Sequence, residues 1–375
     1  MNSEQNNILI LTQGNQRSIY LESLAIGLKS KGYNIAFGSL AENGPLQNCL
    51  SKKGLKCYSF DVNKKPFLKS YFRNFRFWSK VIEKENIGII LSHLQWANLI
   101  ALMLEKLLFR KIKVITTRHH VDASFITRSN NSKIEDLIVN LLSKKQVVVS
   151  NKAKNFMLKK EIFANSKKIF YIPLGYDFTK YNELKKGSSI EIKKENNCKF
   201  LIITISRIKK TKRHLLVFEA LKILINRGLD IKWIILDQGP LQNIIEEKIK
   251  KFRLEDKIKM YGNQPNIIDF LEASDLLVQP SIEESSNQTI KEAAIVGKTA
   301  IITKNIGDYD DYIEDKKNAF FISKNITPEN LANLIQQIYS QKYNLKKMAG
   351  NLKETVQKRF SIENTLQKYI ELIQN

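Results

Sequence analysis

Two short stretches concentrate the residue types from which chemistry could be built. The first is PSIEESSNQTIKEAAIVG, Pro280–Gly297. An apolar run, DLLVQ, stops at Pro280, a polar loop follows, and a helix is predicted to begin near Asn287 or Gln288. Glu284 sits in the loop and Glu292 on the helix, with seven residues between them. A helix start presents unpaired N–H groups and a partial positive charge to an anionic ligand. A loop carboxylate can accept hydrogen bonds from ligand hydroxyls, and a second one two turns into the helix can reach another part of the same ligand. By spacing alone, an acidic loop with a solvated helix glutamate is the plainer reading.

The second stretch is ISRIKKTKR, Ile205–Arg213, after the apolar run FLIITI. Arg207 stands where that run ends and Lys212 lies in the loop beyond it. Such a pair of cations could hold a diphosphate, the Arg engaging two oxygens at once. A basic loop of this kind also suits a solvated surface, and its place at a strand end tilts the reading toward function. Three of the four histidines also follow apolar runs: His93 after IGIILS, and His119 and His120 after KVITTR.

The elements that must position these residues show as apolar runs of strand length. NILILT, Asn7–Thr12, is unbroken, as in a strand buried on both faces of a parallel sheet. A loop with Gly14, a helix through LESLAIGLKSKG and a strand near Asn34–Gly38 complete a βαβ unit. Further strands are predicted at Ile87–Leu91, Lys113–Thr117, Gln146–Val149 and Lys168–Ile172. The polar run Asn182–Asn197 reads as a linker. Alternation resumes with strands Phe200–Ile205 and Lys232–Leu236 around a helix Leu215–Arg227, then strands Asp275–Gln279, Ala300–Thr303 and Ala319–Phe321. The predicted division is therefore a first domain at residues 1–180, a linker at 181–198, a second domain at 199–358, and a C-terminal helix at 359–375 that can pack back on the first domain. Both domains are α/β, Rossmann-like and built on open parallel sheets. Ligands bind outside the carboxyl ends of such strands, so two domains facing across a cleft would bring both sets of strand ends together.

Taken in order, these residues resemble the GT-B-fold retaining glycosyltransferases of glycosyltransferase family 4 (glycosyl transferases group 1). The family carries an Arg and a Lys five residues apart after the first strand of its second domain, as Arg207 and Lys212 stand here. It also carries a Glu-x7-Glu element after Pro-Ser, matching Pro280, Ser281, Glu284 and Glu292. IPLGYD (Ile172–Asp177), DQGPL (Asp237–Leu241), MYGN (Met260–Asn263) and ASDLLVQPS (Ala273–Ser281) follow the family order. The resemblance implies transfer of a sugar from a UDP- or GDP-linked donor to a saccharide or lipid-linked acceptor in cell-surface polysaccharide or lipopolysaccharide biosynthesis, with no metal. Arg207 and Lys212 would bind the diphosphate and stabilise the leaving group. Glu292 would hold the ribose. Glu284 would meet hydroxyls of the transferred sugar, helped by backbone N–H groups of Ser286, Asn287 and Gln288. The resemblance implies a functional histidine beside the donor sugar's hydroxyls, with His119 the first candidate for it and His120 the second; Arg118 and Asp122 flank the pair as candidate donor or acceptor contacts. Gly14 is what remains of a glycine-rich loop at the donor phosphates. The chain departs from the family at Ser285-Ser286-Asn287, where glycines are usual, and at Asp237-Gln238-Gly239-Pro240, which lacks one glycine.

The 375 residues include 61 Lys and Arg against 37 Asp and Glu, a formal net charge of +24. With 43% apolar and 26% charged residues, the chain is neither a disordered tail nor a disulfide miniprotein. No stretch has the ~20 mostly apolar residues of a spanning helix, and MNSEQNN lacks the marks of a signal peptide. Three cysteines without a CxxC pair fit a cytoplasmic protein. The positive charge points to phosphorylated substrates, an anionic membrane or nucleic acid, or to a Lys-, Asn- and Ile-rich composition. Lys64–Ile82 suits a helix with Phe67, Tyr71, Phe75, Trp78 and Ile82 on one side and Lys69, Arg73, Arg76 and Lys80 on the other. It reads as a helix at the inner face of the plasma membrane, or as a core helix with one solvated face. No nucleic-acid motif accompanies the charge, so nucleic acid is not expected as a partner. The alternatives are a GT-B-fold nucleotide-sugar epimerase, whose acidic cleft residues find no match here, and a basic nucleic-acid- or donor-binding protein without turnover.

Overall fold

The near-continuous apolar runs become the central strands of two parallel sheets. The computed structural model describes residues 6–60, 67–108, 111–121, 130–183 and 187–374. It divides into one unit comprising Met1–Asp177 and Phe360–Asn375, and a second comprising Phe178–Arg359.

In the first unit, strands β1 (Asn7–Thr12), β2 (Asn34–Ser39), β3 (Lys56–Ser59), β4 (Ile89–His93), β5 (Lys113–Arg118), β6 (Lys145–Val148) and β7 (Ile169–Tyr171) lie in the order 3-2-1-4-5-6-7. Every pairing is parallel. Ile8, Leu9, Ile10 and Leu11 are fully buried, which is why the strand tolerates no alternation. The second unit repeats the plan with β8 (Phe200–Ile205), β9 (Ile231–Leu236), β10 (Ile258–Gly262), β11 (Leu276–Gln279), β12 (Ala300–Thr303) and β13 (Phe320–Ile322), ordered 10-9-8-11-12-13. In each sheet the order reverses beside the first strand, between β1 and β4 and between β8 and β11. That reversal opens a crevice at the carboxyl ends of the flanking strands.

Two readings need correction, and one choice left open is decided. The strands β3 and β10, absent from the strands expected of the sequence, carry no long apolar run and each forms one edge of its sheet, half-buried at most positions. The stretch 181–198 is not a free linker: Lys180–Glu183 and Ser189–Glu195 are helical. The second of these helices docks within its unit through buried Ile192. Ser188 fastens its start by donating to Asp269 Oδ2 from both N and Oγ, at 3.3 and 2.8 Å. One buried aliphatic is too little periodicity to register in sequence.

The open choice concerns the helix Phe67–Lys84, whose reading as a core helix with one solvated face holds for the described residues. Its Trp78, Val81 and Ile82 are buried in the core of the first unit, so the aromatic side turns inward; the side chains of Phe67 and Tyr71 lie outside the described residues. Phe72, Arg73, Arg76 and Lys80 remain exposed.

The chain ends in two helices, Leu345–Phe360 and Ile362–Gln374. The last belongs with the first unit. Tyr176 N donates to Phe360 O (2.8 Å) and Ile362 N to Tyr176 O (3.0 Å), while Thr365 Oγ1 donates to Pro173 O at 3.0 Å. A Cβ on Gly175 would lie 2.6 Å from Thr365 Cβ. The IPLGYD motif thus owes its glycine to this crossing.

Candidate functional site

At the reversal in the second sheet, side chains tie the two central strands together. Gln279 Nε2 donates to Ile205 O at 3.1 Å and Thr204 Oγ1 to Val278 O at 2.8 Å. The loops beyond are joined by Ile282 N donating to Thr211 O at 2.9 Å. This brings Lys212 to Glu284: its ammonium pairs with Glu284 Oε1. Asn287 Nδ2 donates to the same oxygen at 2.9 Å, and Asn287 also caps the helix Gln288–Ile295 by accepting from Ile290 N. Arg207 stands exposed at the start of the loop that carries Lys212, making no ion pair among the described residues. Glu284 is therefore a carboxylate held by a cation and an amide.

Glu292 is not a solvated helix residue. It is 1% exposed, with Gln288 Nε2 donating to its Oε1 at 2.7 Å. Burial pushes its carboxyl up to about 7, against the smaller opposing effects of Gln288 and Lys291. At or just beyond the carboxyl ends of β8, β11 and β12, the hydroxyls of Ser206, Thr211, Ser281 and Thr303 and the Oε1 of Gln279 are buried without a partner among the described residues. Buried polar atoms are nearly always paired in native proteins, so this cluster has spare capacity for a polar ligand. The backbone of Ser286–Gln288 forms the start of the helix, where N–H groups lack intrahelical partners. The serine's side chain is engaged elsewhere: its Oγ donates to Asp308 Oδ2 at 2.6 Å.

In the first unit, His93 is the last residue of β4, not a loop residue, and is fully buried. Its Nδ1 meets His119 Nε2 at 3.1 Å, and Tyr20 sits edge-on to both rings. Burial pushes His119 down to about 4, with His120 adding to the effect, and pushes His93 well below its usual value. The pair is therefore neutral at physiological pH, one ring donating to the other. His120 is buried, its Nε2 3.0 Å from Asp136 Oδ2.

Arg118, a sequence candidate for ligand contact, is instead 2% exposed and committed internally. Its Nη1 and Nη2 donate to the two Glu161 oxygens at 2.7 Å each, and Nε and Nη2 donate to the carbonyls of His120 and Val121. Asp122 lies outside the described residues. Gly14 lies exposed after β1, where a Cβ would meet nothing within 4 Å.

Comparison with known proteins joins these two constellations to one family. The model for Glycosyltransferase Family 4 matches residues 18–180, and that for Glycosyl transferases group 1 matches residues 186–359. The chain is a glycosyltransferase whose two halves match these two models. It is 23% identical to N-acetyl-alpha-D-glucosaminyl L-malate synthase of Bacillus anthracis, over 78% of this chain and 75% of that one. It is also 23% identical to the capsular polysaccharide biosynthesis glycosyltransferase CapH of Staphylococcus aureus, over 80% and 81% of the two chains. Its fold matches that of Anabaena HepE, solved in complex with UDP, with a TM-score of 0.80, 18% identity, and 98% and 99% coverage.

Sequence reasoning missed parts of this glycosyltransferase that brace the loops after β8 and β11. Gly239 of the DQGPL turn lies against Ile208, the residue after Arg207; a Cβ there would be 2.5 Å from Ile208 O. Gln238 O accepts from Ile208 N, and Ile208 O from Leu241 N, both at 3.0 Å. Asp237 takes the place of the missing glycine with φ of 87°, and its Oδ1 accepts from Gln238 N at 2.6 Å. Asp tolerates this left-handed region better than most residues because its side chain bonds locally. Lys291 and Asp308 were also missed, since nothing in the local pattern marks either as buried. No helix among the described residues is long and apolar enough to cross a membrane.

Proposed function

We propose that this glycosyltransferase is a retaining enzyme acting on a UDP- or GDP-linked sugar, in the assembly of a cell-surface polysaccharide or lipopolysaccharide, with a saccharide or lipid-linked acceptor. The observation that carries the reading is the meeting of Lys212, Glu284 and Asn287 in the loops where the strand order reverses, with Glu292 buried on the helix that Asn287 caps and Arg207 exposed in the loop that carries Lys212. In this reading the bond from the sugar's anomeric carbon to the diphosphate breaks and the diphosphate departs with the electron pair. Arg207, Lys212 and the helix start neutralise the developing charge. The acceptor hydroxyl attacks from the same face and yields its proton to the departing phosphate oxygen. Glu292 accepts the ribose hydroxyls, Glu284 and His119 contact the sugar, and Gly14 leaves room at the phosphates. The protein's own cations do the work a divalent metal would otherwise do. The capsular role named for CapH and the UDP bound by HepE support the product class and the donor class.

Thermal shifts with UDP, GDP, ADP and CMP on wild type and Glu292→Ala test the assignment. A nucleotide at ~100 times its Kd stabilises the fold by ~2.7 kcal/mol. Stabilisation of wild type by UDP or GDP, lost in the variant, is the expected result. No stabilisation of folded wild type by any of them overturns the reading. The anomeric configuration of the product, read by NMR, tests retention, and activity unchanged by EDTA tests metal independence.

A peripheral contact with the inner face of the plasma membrane is part of the same proposal. Its support is the exposed outer side of the first unit, where Phe72 (76% exposed) is followed by exposed Arg73, Arg76 and Lys80. Sedimentation with anionic vesicles but not zwitterionic ones is the expected result.

A further inference from the structure

Lys291 and Asp308 form an ion pair with both side chains fully buried, Nζ to Oδ2 at 2.6 Å. Ser286 closes the arrangement: its Oγ donates to Asp308 Oδ2 at 2.6 Å and accepts from Lys291 Nζ at 2.9 Å. The three residues come from three segments. Lys291 is inside the helix Gln288–Ile295, Ser286 is in the loop after β11, and Asp308 is in the loop after β12. The Tyr312 ring covers the ammonium, its centroid 5.2 Å from Nζ. The neighbouring Gly307 has φ of 56°, and a Cβ there would lie 2.9 Å from Ser285 O. The loop after β12 therefore rests directly on the peptide that follows Glu284.

We propose that Lys291, Asp308 and Ser286 act as one positioning device that sets where Glu284 and the backbone of residues 285–288 meet the transferred sugar. Burying two charges gains little stability over an apolar pair of similar size. What the ion pair adds is direction: Asp308 Oδ2 receives both the ammonium and the serine hydroxyl, so the donor loop is tied at one atom to the adjacent loop and to the helix. Ser286 stands where the family usually has glycine, and its side chain is the link. Lys212 and Asn287 hold the Glu284 carboxylate from one side; the Ser286 link holds its backbone from the other. Ser286 touches neither Glu292 nor Arg207, whereas the charge of Lys291 also acts on the Glu292 carboxyl, so loss of the serine hydroxyl is the change that separates sugar positioning from nucleotide binding.

This inference rests on the proposed donor site. Its test compares wild type, Ser286→Ala, Lys291→Met/Asp308→Asn, and all three substitutions together. Calorimetry with UDP and GDP reads nucleotide affinity, and release of UDP from UDP-N-acetylglucosamine, or of GDP from GDP-mannose, reads turnover. Ser286→Ala keeps the backbone N–H and removes only the hydroxyl. The expected result is nucleotide affinity within about 3-fold of wild type in Ser286→Ala, with kcat 10- to 100-fold lower in Ser286→Ala and in the double variant. Adding Ser286→Ala to the double variant should then cost nothing more, because residues acting as a unit are non-additive. Wild-type kcat in either Ser286→Ala or the double variant overturns the proposal, as does a full additional loss in the triple variant. Should the double variant fail to fold, kcat of Ser286→Ala decides alone. Failure of wild type itself to bind or turn over any nucleotide strikes the donor-site reading instead.

Discussion

Replacing Glu292 with Gln is expected to make the ligand-free glycosyltransferase more stable at high pH and its nucleotide binding weaker. The carboxyl is 1% exposed and burial raises it from 4.5 to about 7. Between those values the folded chain keeps a proton that the unfolded chain has released, so stability falls as pH rises through this window. At ~1.4 kcal/mol per pH unit, the interval amounts to roughly 3 kcal/mol, present below pH 4.5 and lost above pH 7. Gln resembles the protonated acid, so the variant should match wild type near pH 4.5 and exceed it by up to about 3 kcal/mol at pH 8. Urea unfolding followed by tryptophan fluorescence from pH 4.5 to 8 measures the difference. Ribose hydroxyls donating to the carboxylate favour its ionised form, so nucleotide binding by wild type near pH 7 should release a proton. Calorimetry in two buffers of different ionisation enthalpy detects that release. Hydrogen bonds to a charged group contribute ~1.5–3 kcal/mol, so the variant should bind UDP or GDP roughly 10- to 150-fold more weakly, with no proton release. A stability difference that does not vary with pH would refute the burial argument. Unchanged affinity of the variant for the nucleotide that binds wild type would refute the ribose role.

Other perturbations test neighbouring parts. Lys212→Ala and Arg207→Ala should each lower kcat by ~10²–10³; Arg207→Ala should leave unfolding by urea within about 0.5 kcal/mol of wild type, because that side chain is exposed. His214, 2% exposed and stacked on Trp233, is pushed down to about 4, chiefly by burial with Lys212's charge adding. Its folded value lies below the unfolded one, so wild type loses stability as pH falls through 6.5. In His214→Phe that loss is absent, and its stability relative to wild type should rise by about 2 kcal/mol between pH 8 and pH 5, measured by urea unfolding. Gly239→Ala would place a Cβ 2.5 Å from Ile208 O. It should cost about 1–3 kcal/mol and raise KM for the nucleotide sugar by displacing the Arg207 loop, as steady-state kinetics would show.

Much of the architecture is written locally. NILILT, FLIITI and KVITTR are strands because strands buried on both faces need continuous apolar runs, and the alternation with helices implies parallel sheets. The spacing from Glu284 to Glu292 needs only a helix starting near Asn287, which the Asn cap supplies. The polar edge strand β3, the docked helix at Ser189–Glu195 and the inward side of the helix Phe67–Lys84 were not legible in this way. Each depends on which neighbour covers a face, and an amphipathic pattern reads the same whether its apolar side meets protein or lipid. The same limit applies at the site. Residue type and order named Arg207, Lys212, Glu284, Glu292 and His119, but only packing brought Lys212 onto Glu284, buried Glu292 until its carboxyl rose to about 7, and turned Arg118 inward. The pairing of Lys291 with Asp308 joins residues seventeen positions apart in separate loop and helix segments. Periodicity is a property of neighbouring residues, whereas burial and the field at a charged group are set by chain segments distant in sequence; those only the tertiary structure decides.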